Sequence, residues 1–483
     1  MGRGHRNGFL AAGGRLAVRV SLMPLAAAAA LAVALLAGCS QPSGDEAAPL
    51  PDEPTMEAAF RDGAWVALPA NWTLGTAGTN ALGHDGAEPN IGITGDGSVF
   101  ISSGSTVMRS QDAGGSWEGV QTHALPNSDP MLWVDTMTDR VYHAPMFPIL
   151  LCATLYWSDD SGATWATNPS VDCGRGAYDH QKLATALPGP DANPSAGVSW
   201  PTVAYLCYNG VAVTNCAVSY DGGLTWPVDR PTQVNVVPPT EGSGVFTGCG
   251  SGQNGHPTGA PDGTIVFMRT GPGCPMPLIA SSRDSGLTWT LRQGPPSPNP
   301  TSLDPEVAFT PDGTMYVLYQ DADFQELLAR SRDMGQTWEG PWSVMPPGVR
   351  TASFQALAAG SDGRVALAFL GTRDDDGTPS DVDDASRWHL FVVASEDAAG
   401  EAPTFVAYQA TPDSDPVQVG PIWQGGGGDP SRNLLDFIDG AVAPDGSFFV
   451  AFADGCTTDA CKQPDAKAGD SRSRATSVGW LKG

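Results

Sequence analysis

One eight-residue pattern recurs along the chain and constrains its fold more than any other feature. It first appears as Ser110-Gln-Asp112-Ala-Gly114-Gly-Ser116-Trp117 and returns at Ser158–Trp165, Ser219–Trp226, Ser282–Trp289 and Ser331–Trp338. A degenerate copy, Ser395-Glu-Asp397-Ala-Ala-Gly400, follows. The chemistry is that of a β-hairpin turn. Asp accepts hydrogen bonds from the amides that follow it, and Gly takes the positive φ that a tight turn needs. Ser or Thr ties the turn to a strand, and Trp covers the apolar side of the hairpin. Successive tryptophans lie roughly 50 to 60 residues apart, so the chain is built of repeated supersecondary units.

A second pattern lies between these turns. Asp96-Gly97, Asp262-Gly263, Asp312-Gly313, Asp362-Gly363 and Asp445-Gly446 each precede a strand-like apolar run. Asp-Gly between apolar runs is a strong hairpin signal. Each unit therefore reads as strand, Asp-Gly turn, strand, loop, strand, Ser-x-Asp turn, strand, which is the content of a four-stranded propeller blade. The eight-residue turns resemble the Asp-boxes, or BNR repeats, of sialidase-like β-propellers, and the resemblance covers most of the chain after about residue 60. Counting units gives seven: Asn90–Val120, Pro130–Asn168, Gln181–Asp229, Pro257–Gln293, Pro305–Trp342, Phe354–Gln409 and Leu434–Gly483. Six, the usual number in sialidases, is the alternative. In the seventh unit Arg474–Leu481 reads as the third strand and Gly63–Leu68 as the fourth, which would close the ring with both termini. The expected fold class is all-β, a propeller of four-stranded blades.

Composition agrees with this reading. With 59 Gly and 42 Pro the chain is poor material for long helices, and 14 Trp with 41% hydrophobic residues suffice for a large core. A net charge of −27 argues against nucleic acid as a partner, because phosphate binding needs a basic surface.

The first 38 residues hold Arg3, Arg6, Arg15 and Arg19, no acid, and an apolar run from Leu22 to Leu36 that is short for a membrane span. This reads as an export signal. Its exit, Leu36-Ala37-Gly38-Cys39, resembles the lipobox of bacterial lipoproteins, which implies cleavage before Cys39, lipidation of that residue and extracytoplasmic attachment to the cell envelope. Residues 39–60, rich in Pro and acids, read as a tether, and 61–483 as one domain. Eight further cysteines remain. They fall into sequential neighbours, Cys152/Cys173, Cys207/Cys216, Cys249/Cys274 and Cys456/Cys461, expected as four local disulfides although spacing alone does not prove connectivity. No CxxC pair or HExxH is present, which leaves zinc unsupported.

Strand order assigns a face to the chemistry. The Asp-Gly and Ser-x-Asp turns share one rim, so Asp112, Asp160, Asp221, Asp284 and Asp333 are read as structural. The opposite rim holds the starts of the innermost strands: Glu88, Asp129, Asp179-His180-Gln181, His256, Asp304, Gln355, Asp436 and Asp439. Second strands end there near His143, Arg269, Gln320-Asp321, Arg373 and Asp454. Converged on one mouth, these residues would form a polar cup. The candidate catalytic set is Asp179, His180, His256, Arg269, Asp304, Arg373, Asp436 and Asp439. The acidic loop from Asp374 to Arg387 on the same rim offers the oxygen ligands that Ca²⁺ takes, with a simple solvated loop as the bland reading and no cofactor required. Gly425–Gly428 form a flexible rim loop, read as a lid or a linker.

The sialidase resemblance implies a carboxylate clamp of three arginines, a tyrosine nucleophile paired with a glutamate, and an aspartate acid/base. The chain departs from this pattern. Ala87-Glu88-Pro89-Asn90-Ile91 stands where the Phe-Arg-Ile-Pro motif is expected, and the seventh unit has Phe448 and Phe449 but no tyrosine. Arg269, Arg350, Arg373 and Arg432 remain for a clamp, with Tyr178 or Tyr319 near the mouth. A closer resemblance is to exported Asp-box proteins without an assigned function, carried by Asp179-His180-Gln181, Asn254-Gly255-His256, Trp388-His389-Leu390 and Arg432-Asn433-Leu434-Leu435-Asp436-Phe437. The expected function is therefore a carbohydrate-directed, lipid-anchored monomer acting on a glycan or glycoconjugate, leaning towards a glycoside hydrolase. A non-catalytic glycan-binding or protein-interaction propeller is the alternative. No Gly-x-Ser-x-Gly elbow supports serine hydrolysis.

Overall fold

Turn chemistry of this density leaves little room for helix. Among the described residues only Ser361–Gly363 and Ala468–Asp470 are helical, each a single 3-10 turn. The computed structural model describes residues 57–122, 129–147, 152–171, 179–193, 197–209, 214–231, 235–236, 254–270, 276–297, 299–301 and 304–483. These belong to one compact unit, Pro51–Gly483. The expected signal segment, Cys39 and the tether as far as residue 56 lie outside the described residues.

The strands assort into seven sheets, one for each unit counted in the sequence. The first is typical: Ile91–Ile93, Val99–Ser103, Thr106–Ser110 and Glu118–Thr122 pair in chain order, each antiparallel to the last. The innermost strands of the others begin at Leu132, Asp179, Thr258, Glu306, Thr351 and Asp439. Each innermost strand touches the next, and Asp439–Val442 touches both Thr351–Ala359 and Ile91–Ile93, so the ring closes on itself. The architecture is an all-β propeller.

Closure differs from the sequence expectation in one strand. The third strand of the last sheet is Ala475–Lys482, but its outer partner is Thr76–Asp85, in register from Thr76↔Lys482 to Asp85↔Ala475. Gly63–Leu68 is used elsewhere. Asp62 and Gly63 have φ of 47° and 71°, so the chain reverses tightly there. Glu57–Arg61 and Ala64–Val66 form a hairpin on the outer edge of the sixth sheet, paired with Phe405–Gln409.

Both turn families lie on one rim, and their geometry repeats. In the Asp-Gly turns Gly97, Gly263, Gly313 and Gly446 have φ of 85–88°. The Asp carboxylate accepts the amide two residues on, as Ser98 N to Asp96 at 2.9 Å and Ser447 N to Asp445 at 2.9 Å. In the octapeptide turns Asp221 accepts Ser219 Oγ (2.8 Å), Thr225 N (2.8 Å) and Thr225 Oγ1 (2.6 Å), and the other four repeat this set. The positive-φ glycine of each turn abuts the preceding sheet: Gly286 leaves no room for a Cβ against Val218, and Gly223 none against Leu155. The turns thus seal neighbouring blades together. Even the degenerate copy keeps Ser395 Oγ to Asp397 at 3.0 Å, with Thr404 N closing the turn at 2.7 Å.

Two disulfides form among the described residues, Cys207–Cys216 between paired strands and Cys456–Cys461 in the loop after Phe448–Asp454. Such bonds persist outside the reducing cytoplasm, and this chain is accordingly an extracytoplasmic protein. The Cys152/Cys173 and Cys249/Cys274 pairs cannot be placed, because Cys173, Cys249, Cys274 and the Cys152 side chain lie outside the described residues. No helix among the described residues is long and apolar enough to cross a membrane.

Candidate functional site at the propeller mouth

At the opposite rim the regular strand geometry breaks down. Glu88, Asp129, His180, Phe354 and Leu435 all have φ between 49° and 61°, each just before or at the start of an innermost strand. Left-handed backbone at non-glycine residues costs energy, and it occurs equally at Ala113, Ser161, Ser285 and Met334 in the octapeptide turns, where a regular hydrogen-bond set explains it. Register shifts at Asp179/Lys182 and Ser353/Gln355 mark bulges in two of these strands. A bulge re-aims side chains, and here it turns them onto the axis.

The side chains that meet there form a buried layer and an open one. In the buried layer His180 Nε2 lies 2.8 Å from Asp304 Oδ1, and Lys182 Nζ donates to Asp304 Oδ2 at 3.4 Å. Lys182 is fully buried, its ammonium 3.2 Å from the centroid of the Phe437 ring. Burial alone would raise the Asp304 carboxyl, but the charges of His180 and Lys182 hold it well below the usual range. His256 packs edge-on against the same Phe437 ring, with centroids 5.6 Å apart. Asn90 Nδ2 lies 3.3 Å from His256 Nε2 and donates to Asp439 Oδ2 at 3.4 Å, while Asn90 Oδ1 accepts Leu132 N. The amide therefore presents its NH₂ to Nε2, the imidazole proton sits on Nδ1, and Nδ1 donates to Glu306 Oε1 at 2.8 Å. Burial, with the Lys182 charge adding, pushes His256 down to about 4. Burial and the Asp304 charge push Glu306 well above the carboxylate range. Asp439 is raised by burial and accepts Ile91 N at 3.0 Å.

The open layer is a cleft of about 300 Å³ lined by Asp85, Glu88, Asp129, Leu435, Arg432 and Arg474 among others. Asp129 Oδ2 accepts the His180 amide at 3.1 Å, which joins the two layers. Arg432 Nη2 donates to Asp436 Oδ2 at 2.6 Å. Glu88 is 2% exposed and its Oε2 has no hydrogen-bond partner. Burial first, then the charges of Asp129 and Asp436, push its carboxyl well above the usual range, against the pull of Lys182 and Arg432.

The structure thus brings together His180, His256, Asp304, Asp436 and Asp439 of the sequence-predicted set. His180, His256 and Asp304 stand in the buried layer and not on the open cleft. Asp179 opens its strand, but its side chain lies outside the described residues, as does Tyr178. Arg269 is buried at the end of its strand, bridged to Asn254, and burial lowers it to about 10. Arg373 lies in a separate cleft of about 460 Å³ with His389, Asp413 and Lys462. Tyr319 is raised by burial within an apolar cluster and is not among the residues that line the cleft. The four candidate clamp arginines are therefore dispersed, since Arg432 lines one cleft, Arg373 another, and neither holds Arg269 or Arg350.

The acidic loop uses its carboxylates on itself. Asp375 accepts the amides of Gly377 and Asp383, and Asp374 accepts that of Arg387. No group of three or more His, Cys, Asp or Glu fit to hold a metal ion occurs among the described residues.

Sequence reasoning placed Glu88 and Asp129 on the rim without giving them a chemical role, and it passed over Lys182, Glu306 and Phe437. Lys182 carried a readable signal, because a charge followed by Leu183-Ala184 in an axial strand has to find a buried partner.

No family model matches the chain, and no curated protein matches it. Solved structures similar to it include the BP39L lectin from Burkholderia pseudomallei, 14% identical with a TM-score of 0.47, covering 85% of this chain and 96% of the lectin. A Hadza microbial sialidase is 14% identical with a TM-score of 0.41, covering 80% of this chain and 73% of the other. The α-L-arabinanase of Penicillium chrysogenum is 15% identical with a TM-score of 0.37, covering 69% and 98% respectively.

Proposed function

We propose that the chain is a carbohydrate-directed propeller of the cell envelope, tethered by lipid at Cys39, and that it hydrolyses a glycosidic bond in the cleft at its mouth. One observation carries the reading: a buried carboxyl whose Oε2 has no hydrogen-bond partner, Glu88, lines a cleft together with a second carboxyl, Asp129, and with Arg432, which is paired to Asp436. Glycoside hydrolysis needs one carboxyl that stays protonated at working pH and a second that does not. In this reading Glu88 donates its proton to the departing glycosidic oxygen. Asp129, held by the His180 amide, takes the proton of a water whose oxygen bonds to the anomeric carbon as the glycosidic bond breaks, and Arg432, paired with Asp436, fixes the sugar hydroxyls. His180, His256, Asp304 and Asp439 then support the reacting residues from below. The dispersal of the arginines favours a substrate other than a sialoside.

The test is a survey of bond cleavage. The soluble fragment Ser40–Gly483 is incubated with sialylated, uronate-bearing and neutral oligosaccharides, and released sugar is read by mass spectrometry. Release from a neutral or uronate-bearing glycan, lost in Glu88→Gln, supports the assignment. Cleavage that survives Glu88→Gln removes the site, and saturable binding with no product leaves a glycan-binding module.

A further inference from the structure

Among the described residues, large apolar side chains exposed to water lie away from the mouth, with one exception. Met137, Leu187, Leu224 and Val442 lie in or beside the turns of the opposite rim, Leu74 sits just before the strand end at Thr76, and Trp65 and Val66 belong to the outer hairpin. Trp423, 36% exposed, is different. It lies in the connection between the sixth and seventh sheets, and that connection leads into the cleft. Trp423 N donates to Ser431 O at 3.0 Å, and the residue after Ser431 is Arg432, which lines the cleft. The other neighbour, Gln424, donates to Ser353 Oγ at 2.8 Å, on the innermost strand of the sixth sheet. That strand reaches the axis two residues later, where the Gln355 side chain donates to Asp304 O. The backbone at Trp423 is thereby tied to the segment that enters the cleft at Arg432 and, through the Gln424 side chain, to the innermost strand of the sixth sheet.

The glycine run beside it has a purpose in this geometry. A Cβ at Gly425 would sit 2.8 Å from the indole Cζ2, so the ring lies directly over that glycine. Trp423 Nε1 donates to Gly426 O at 3.2 Å, which fixes the plane of the ring. A tryptophan held flat on its own loop, with its NH satisfied and part of its surface in water, is a rigid apolar platform. A pyranose ring offers the matching surface: a face of C–H groups, with hydroxyls at its edge that stay hydrated. Trp is suited to such a partner because it supplies large area with little rotamer entropy to lose.

We infer that Trp423 is the stacking platform of an outer sugar subsite, on which a hexopyranose ring of an oligosaccharide rests while the neighbouring residue of that oligosaccharide occupies the Glu88–Asp129 cleft. This rests on the carbohydrate reading above and adds that the ligand is a chain of at least two sugars, and not a free monosaccharide.

The test uses the Ser40–Gly483 fragment with ¹⁵N-labelled tryptophan, titrated with galactose, lactose and 3′-sialyllactose as probes. Trp423→Phe, which keeps an aromatic ring, identifies the Trp423 indole NH as the signal it removes. That signal is expected to shift with the oligosaccharides and not with galactose. Trp423→Ala should weaken oligosaccharide binding roughly tenfold, and Trp423→Phe by less. Binding that leaves the Trp423 signal unmoved, equal affinity in Trp423→Ala, or no binding of any probe each overturn the platform. Shifted signal without bond cleavage would sustain the platform and defeat the hydrolase reading. Cleavage with an unmoved signal would do the reverse.

Discussion

The two rims of the propeller are made from the same strands and answer to opposite chemistry. On the turn rim the carboxylates repeat, each surrounded by hydroxyl and amide donors, and hydrogen bonds from Ser116 and Thr164 hold Asp112 and Asp160 down to about 2. Asp96, Asp312 and Asp445 are lowered in the same way. At the mouth rim several carboxyls are instead few in donors and deep in protein. Burial raises Glu88, Glu306 and Asp439, takes Glu326 up to about 8, and takes Asp454 up to about 7. Asp304 escapes only because His180 and Lys182 face it. One rim is regular because each repeat carboxylate finds its donors within its own turn. The other is irregular, and several of its groups are buried against their preference, which is what the proposed site requires.

The sharpest way to break this comparison is to swap one carboxyl on each rim for its amide. Glu88→Gln should reduce cleavage of whichever glycan is a substrate by about 10² to 10⁴-fold, the range for loss of a general acid, with thermal stability kept. Asp221→Asn should leave cleavage unchanged. Equal losses in both variants would mean that the rims do not divide structure from chemistry. The next largest effect concerns the layer beneath the cleft. Lys182→Met leaves Asp304 with only His180, and losing one partner of a buried ion pair costs about 3–5 kcal/mol. Chemical denaturation measures this, and adding Asp304→Leu should recover a large part of the loss. A single variant as stable as the parent would show that Lys182 is not the counter-ion.

How far this division was legible in sequence follows from the same contrast. The turn rim could be read because its interactions are local: Ser219, Asp221 and Thr225 bond within one octapeptide, so five copies announce five turns. Strand order then placed both turn families on one rim with no tertiary information. The mouth was legible only as a location. Glu88, Asp304 and Asp436 come from three different sheets, and which of them keeps its proton depends on burial and on facing charges that spacing does not encode. Arg269 and Arg373 show the limit: both end second strands at the mouth rim, yet one is buried in the wall and the other lines a different cleft. The closing strand was misplaced for a related reason. Gly63–Leu68 reads as the closing strand, whereas Thr76–Asp85, interrupted by Gly78, Asn80 and Gly83, shows little strand signal and is set against the C-terminus only by the fold.

Stability against pH sharpens the comparison next. Glu326 and Asp454 have raised folded pKa values, so their contribution is intact below the unfolded values near 4 and is lost as pH rises towards 7 to 8. Asp112 and Asp160 in the turns have depressed values, so theirs is intact above about 4 and is lost as pH falls towards 2. Stability should therefore peak on the acid side of neutrality. Glu326→Gln isolates the first limb. Gln320 Nε2 donates to Glu326 Oε1 at 2.8 Å, a bond that glutamine can also accept. The variant should gain stability at pH 8 and be unchanged near pH 4. Denaturation midpoints that run parallel at both pH values would remove Glu326 as a titrating group in the fold.

The smallest expected effect tests the turn rim on its own terms. Asp221→Ala removes three hydrogen bonds, from Ser219 Oγ, Thr225 N and Thr225 Oγ1, at a site that is partly open to water. Water can replace some of what is lost, so the cost should be about 1–2 kcal/mol and not the sum of three buried bonds. The turn should nevertheless stay docked, because Gly223 still lies against Leu155 and Tyr142 of the preceding sheet and Trp226 Nε1 still donates to Gly223 O at 3.1 Å. Those contacts belong to packing between blades and do not pass through the carboxylate. A loss well beyond this range, with hydrogen exchange spreading into Val203–Asn209 and the second sheet, would mean that the carboxylate holds the blade interface and not merely the turn.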